Sequence, residues 1–390
     1  MFKSKNYFLS QPHQPFFLLS FVNAILLIII FSLSMHGLLT LKINTSLFHS
    51  YGLIFLCFTP AFFGFLFTTF PRFLSVEIIN KEFYTKIFTL FSIGNILFLI
   101  GSIYYDLLVN ISMFIIFIGY LLSIKKLIEL HLQSGAENKH DTFWILIGFC
   151  FGIISSILFL LSNTYITFIS YGAQVGIYLY LFLVAFAVAQ RMIPFFSHCQ
   201  YEKDKTFLRT VVVLLSLHVV FEIYYFNLSF LVDAILAIII AKEIYRWKLP
   251  FPNSNPMLWI MHLSLFWIPI SFLFSSISSA MSYYYAYHFV YLGVHMLVLG
   301  FLLTILIGFG TRVTIGHSNN IMNANKLTIS LFVLTQIVVL SRMIMSIAAS
   351  MKYDFMILFD ISIVLWVILF VVWLVQFFNA LVFGKSLSKD

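Results

Sequence analysis

Runs of about twenty apolar residues follow one another along this sequence with little between them, and each is long enough to cross a lipid bilayer as a helix. Twelve such runs lie near residues 16–40, 47–70, 87–105, 107–128, 142–162, 166–193, 206–226, 228–247, 256–277, 287–311, 326–348 and 355–380. Of the 390 residues, 62% are hydrophobic and 9% charged, more apolar surface than a water-soluble fold can hide. In hydrocarbon the backbone must satisfy its own polar groups, so only helices or closed barrels span. The runs lack the alternation of barrel strands. The expected fold is therefore all-α: a polytopic integral membrane helical bundle of about 12 transmembrane helices, forming one membrane domain over residues 1–390. Membrane lipid is an expected partner and nucleic acid is not.

The net charge of +8 is distributed unevenly. Of the 22 Lys and Arg, 19 fall in the N-terminal segment (Lys3 and Lys5 among them), the even-numbered loops and the C-terminal segment ending at Lys389. The odd-numbered loops hold only Lys42 and Lys352, and Arg342 lies inside span 11. The positive-inside rule then places both termini in the cytoplasm, as expected for a multi-pass protein of a bacterial cytoplasmic (inner) membrane. Asn227 marks the break between spans 7 and 8. The first apolar run is too long for a cleavable signal and lacks a small-residue cleavage site. Cys57 and Cys150 lie in apolar runs and Cys199 in a loop, with no CxxCH, so covalent c-type haem attachment is excluded.

Histidine inside a membrane is costly and marks a candidate site. Imidazole is also a usual ligand of haem iron and copper. Residues 287–318 carry His288 and His295 near one end and Arg312 and His317 near the other. By depth, His49 and His295 fall on the outer side, and His262 and His317 on the inner side. His295 and His317 are too far apart to share a metal unless the Gly308–Gly310 region breaks the helix. Two sites are therefore expected, His49 with His295 and His262 with His317, with His288 and the His198–Cys199 pair as lesser candidates. The alternative for each is a histidine bonded to a carbonyl or a headgroup. His317 follows Gly316, which frees the backbone to return over the inner face. His13 lies in a cytoplasmic segment.

Arg72, Arg191 and Arg312 close spans 2, 6 and 10, four spans apart. They suit snorkelling at the inner face or pairing with haem propionates. Their spacing hints at a threefold repeat of four helices. His218 and Glu222 share a face of span 7 and are expected to bond each other. Arg342 and Asp360 are expected to form an ion pair.

Several motifs in order resemble the NnrS family of membrane proteins. HQPFF at 13–17 resembles the family's Arg-Pro-Phe-Phe without its Arg. FHSYG at 48–52 and GFLFT at 64–68 resemble Trp-His-Ala-His-Glu and Gly-Phe-Leu-Leu-Thr, with Tyr51 and Gly52 in place of the second His and the Glu. QRMIPFFS at 190–197, PMLWIMH at 256–262, HMLVLG at 295–300 and RVTIGHSNN at 312–320 resemble the remaining motifs. The resemblance implies non-covalent haem and copper, and a role in nitric oxide metabolism or protection from nitrosative stress. It carries over to His49, His262, His295 and His317, with Arg72, Arg191 and Arg312 as weaker members.

The functional expectation is a haem- and copper-binding membrane protein that binds nitric oxide at a His-ligated haem, with an electron-donating or respiratory partner still to be identified. Catalysis is not decided by these residues. The alternatives are a transporter of a small solute or metal ion, or a haem/copper assembly factor. A transporter would favour helices interrupted by Gly or Pro, and the sequence suggests interruption at Pro60–Gly64 and Gly308–Gly310.

Overall fold

The computed structural model describes residues 7–199, 201–225, 228–318 and 320–385. Lys3, Lys5, Asn227 and Lys389 lie outside them. The described residues form helices and no strand. Twelve long helices follow in order: α1 His13–Met35, α2 Thr45–Leu74, α3 Lys81–Tyr104, α4 Asp106–Gln133, α5 His140–Asn163, α6 Thr167–Phe196, α7 Phe207–Tyr224, α8 Phe230–Arg246, α9 Pro256–Tyr285, α10 Leu292–His317, α11 Lys326–Ser350 and α12 Met356–Phe383. Eleven are long and apolar enough to cross a membrane. The exception, α8, has 17 residues and a length of about 26 Å.

A helix stands at each of the twelve expected spans, with shifted ends. The helix α9 runs on to Tyr285, and α10 starts only at Leu292, so His288 precedes α10 instead of opening it. Side-chain chemistry sets several starts. Asn44, Asn80, Asn255 and Asn325 each accept a hydrogen bond from a first-turn amide of α2, α3, α9 and α11. Pro256 follows Asn255 at the first helical position, where a missing N–H costs nothing.

The helices α2, α6 and α10 differ from the rest. Between 83% and 89% of their apolar windows is buried, against 33–50% in the other candidate spans. Each contains a wide π-helical stretch: Gly52–Phe58, Val175–Leu181 and Met296–Leu303. The four-helix spacing suggested by three arginines thus recurs in backbone geometry. A wide turn displaces carbonyls from the ordinary ladder, and in lipid each needs a donor. Thr59 and Thr304, the first residues after two of these stretches, donate to the carbonyls five residues back, Ile54 at 2.7 Å and Leu299 at 3.1 Å. In α2, Ser20 donates to the Cys57 carbonyl at 2.7 Å and Asn23 to the Leu56 carbonyl at 2.6 Å. The Pro60–Gly64 and Gly308–Gly310 regions remain helical. The expected breaks are absent there, because the helices absorb their irregularity in the wide stretches just upstream.

The chain divides into two compact units. Among the described residues, one comprises 7–184, 313–318, 320–322 and 370–385; the other comprises 185–199, 201–225, 228–312 and 323–369. In the first, α1 crosses α2 where Gly64 offers no side chain. A Cβ there would lie 2.8 Å from Phe16 Cβ and 3.3 Å from the His13 backbone. In the second, the start of α10 lies against α9, where a Cβ on Gly293 would meet Ser275 at 2.7 Å.

Candidate functional site

His49 and His317 belong to the first unit, and His262 and His295 to the second. Each is placed by its own local chemistry.

His317 is the last residue of α10, with Gly316 helical before it, so the glycine does not turn the chain back. Its Nδ1 donates to the Val313 carbonyl at 3.0 Å, and Arg72 Nη2 stands 3.4 Å from Nε2. Two sequence-selected residues are thereby brought together. They are joined by a third that the sequence left in a loop. His13 is the first residue of α1 and only 2% exposed, and its ring lies 4.8 Å from that of His317. The His13 Nδ1 is buried without a hydrogen-bond partner. Tyr7 completes the corner by donating to the His317 carbonyl at 3.1 Å.

The other end of α10 repeats this arrangement in the second unit. His295 Nδ1 donates to the Tyr291 carbonyl at 2.8 Å, and Arg342 Nη2 stands 3.3 Å from Nε2. Arg342 also donates to Ser346 at 2.8 Å, so the partner expected in Asp360 is replaced by His295 and Ser346. A bond from Nδ1 to a carbonyl fixes the tautomer and leaves Nε2 as an acceptor, which the arginine faces. The helix between them is unbroken from Leu292 to His317, which keeps the two histidines at separate depths.

His262 is fully buried on α9, with Nε2 2.7 Å from Ser197 Oγ and Nδ1 without a hydrogen-bond partner. An orphaned lone pair is cheaper than an orphaned N–H. The imidazole therefore donates through Nε2 to Ser197 and keeps the Nδ1 lone pair free. The partner comes from the QRMIPFFS motif, but it is Ser197 and not His198 or Cys199. His198 is exposed with φ 53°, and burial pushes the Cys199 thiol up, away from the thiolate that ligates metal. Arg312 stacks on Phe196, 3.8 Å from the ring centroid, and Arg191 is half-buried on α6.

His49 is half-buried near the start of α2, its ring 4.4 Å from that of Phe31. Tyr51, two residues on, faces a different direction, among Phe55, Phe98 and Phe159. Its hydroxyl is buried without a partner. His288 bonds Ser282 outside α10.

The expected bond between His218 and Glu222 is not made. His218 Nδ1 meets Asp233 at 2.6 Å, and Glu222 accepts from Ser229. Residues four apart on a helix point the same way, yet here His218 finds its partner in the first turn of α8 and Glu222 in the residue that precedes it.

Among the described residues, no three His, Cys, Asp or Glu side chains gather in a metal-binding group. The donor set instead offers single imidazoles: Nδ1 of His295 and of His317 is committed to a backbone carbonyl while Nε2 faces an arginine, and His262 presents Nδ1. Three residues of these sites, His13, Ser197 and Asp233, were not singled out from the sequence. His13 and Ser197 do lie inside quoted motifs, and Asp233 is the sole acid in the apolar first half of α8.

A family model described as NnrS protein matches residues 7–383. The chain matches no curated protein.

Proposed function

The chain belongs to the NnrS family, and from that premise we propose that it is a haem- and copper-binding membrane protein acting in nitric oxide metabolism or the response to nitrosative stress. One observation carries the proposal. Both histidines of α10 commit Nδ1 to a backbone carbonyl and hold Nε2 as a lone pair. That is the tautomer a metal ligand requires.

Electrostatics divides the ligands. A bare cation at Nε2 of His295 or His317 would face the guanidinium of Arg342 or Arg72. A haem brings its own carboxylates, which an arginine pairs with bidentately. His295 and His317 thus suit haem, with His49 as a further ligand and Arg72, Arg191 and Arg312 as propionate partners. His262, with a buried free Nδ1 and a serine fixing the ring, suits copper. A haem bound at these histidines would supply an iron able to take nitric oxide. Arg72, Arg191 and Arg312 would hold the carboxylates of such a cofactor, and their positive charge would raise its potential.

The charge bias supports placing both termini in the cytoplasm of a bacterial inner membrane. The Pro60–Gly64 and Gly308–Gly310 regions, where a transporter reading expects interruption, are helical, and the irregular turns lie upstream of them.

The test is an absorption spectrum of the purified protein, oxidised, reduced and reduced with nitric oxide, beside a copper assay. A Soret band that shifts with nitric oxide supports the proposal, and His→Ala at positions 49, 262, 295 and 317 then reads haem and copper occupancy residue by residue. Protein free of both, from cells replete in haem and copper, overturns it.

A further inference from the structure

The second unit contains a buried polar ladder that the haem and copper sites do not use. Three segments each supply two residues four apart: His218 and Glu222 from α7, Ser229 just before α8 with Asp233 in its first turn, and Ser275 and Ser279 from α9. The six side chains sort into two rungs. In the outer rung Ser229 donates to Glu222 and, at 3.2 Å, meets Ser279. In the inner rung His218 Nδ1 lies 2.6 Å from one Asp233 oxygen, and Ser275 donates to the other at 2.8 Å. His218 is 1% exposed, and Asp233 and Ser229 are fully buried; Ser275 and Ser279 are half-buried, as is Glu222, two residues from the end of α7.

A structural ion pair needs no second rung. Burying a carboxylate and an imidazole in apolar surroundings is expensive, and two apolar residues would pack the same space at less cost. The graded burial, from Glu222 at the helix end to Asp233 one turn deeper, gives the arrangement a direction. One turn of helix is about 6 Å, a gap that a single bridging water spans.

We propose that these six side chains form a proton-relay site that opens at Glu222 and ends at the His218–Asp233 pair. A proton from bulk water binds the Glu222 carboxylate. The Ser229 hydroxyl accepts it and releases its own proton inward. The His218–Asp233 pair, which holds one proton between imidazole and carboxylate, gains a second and becomes imidazolium beside a neutral acid. Reversal returns the proton, and no electron moves. The charge bias of the loops assigns the Glu222 end to the exterior. At its inner end the ladder reaches α10. Gly293 packs on Ser275, and two residues further along stands His295, which Arg342 faces. The inner end of the relay thus lies against the helix that carries a candidate ligand, and the proposal stands without the haem and copper reading.

The test is infrared difference spectroscopy of the purified full chain during acidification and during transfer from H2O to D2O, with or without cofactor. The wild-type protein gains a carboxylic-acid carbonyl band on acidification that shifts in D2O. Asp233→Asn removes that component. Glu222→Gln keeps the Asp233 component but slows its deuterium exchange severalfold, which a purely structural pair would not show. Should Asp233→Asn fail to fold, His218→Asn together with Glu222→Gln carries the test, and the former shifts the acidity at which the band appears. A wild-type band insensitive to pH and D2O, or wild-type exchange in Glu222→Gln, overturns the relay.

Discussion

The imidazole rings of His13 and His317 lie 4.8 Å apart, centroid to centroid, although they stand near opposite ends of the chain. One begins the first long helix and the other ends the tenth. Arg72 at the end of α2 approaches the same ring. Three motifs that the sequence presents separately, HQPFF, GFLFT and RVTIGHS, thus share one corner of the first unit, and Gly64 is what lets α1 come close enough.

Gly64→Leu separates α1 from α2. Any Cβ there already meets Phe16 at 2.8 Å, so a larger side chain forces overpacking that costs about 1–3 kcal/mol. Thermal unfolding in detergent should show a lower midpoint than wild type. A wild-type midpoint would mean that the crossing of α1 and α2 is looser than described.

Ser197→Ala removes the group that orients His262. Loss of such an orienting bond lowers metal affinity by about 10–100-fold, while the lost hydrogen bond itself costs about 1 kcal/mol. Copper titration of the variant should show the weaker binding with the helical content intact. Unchanged affinity would remove His262 from the ligand set.

Asp233→Leu alone strands His218 in apolar surroundings, and the loss of one partner of a buried pair costs about 3–5 kcal/mol. The double variant His218→Leu with Asp233→Leu should recover most of that stability. The thermal midpoints of the two single variants and the double variant, read as a cycle, check this. If the double variant were as unstable as the sum of the singles, the pair would not be coupled.

Tyr51→Phe deletes a buried hydroxyl that has no partner, at almost constant shape. An unsatisfied buried hydroxyl costs about 1–3 kcal/mol, so the cofactor-free variant should melt at or above the wild-type temperature. A clear loss of stability would show that the hydroxyl is satisfied in the folded protein.

The sequence identified His317 and Arg72 as candidates and quoted the motif containing His13, yet it placed His13 in a loop. Its apolar run was read as starting near residue 16, and a polar His-Gln pair before a proline looks like a surface turn. Only packing against Gly64 shows that the helix starts at His13 and buries it. The same limit applies to His218. Helical periodicity offers Glu222 as its neighbour, while Asp233 lies on another helix, beyond the reach of any local rule.

By itself the sequence determined the class of fold and its count of helices. Lipid as solvent leaves an apolar backbone one local way to satisfy its hydrogen bonds, and that requirement is legible residue by residue. It also determined which four histidines deserved testing. The tertiary structure alone decided what each ring nitrogen meets, that α2, α6 and α10 carry the wide stretches, and that six polar side chains from three segments line up in two rungs. Those outcomes depend on contacts between residues distant in the chain. Such contacts follow from how helices cross, and no periodicity within one helix encodes that.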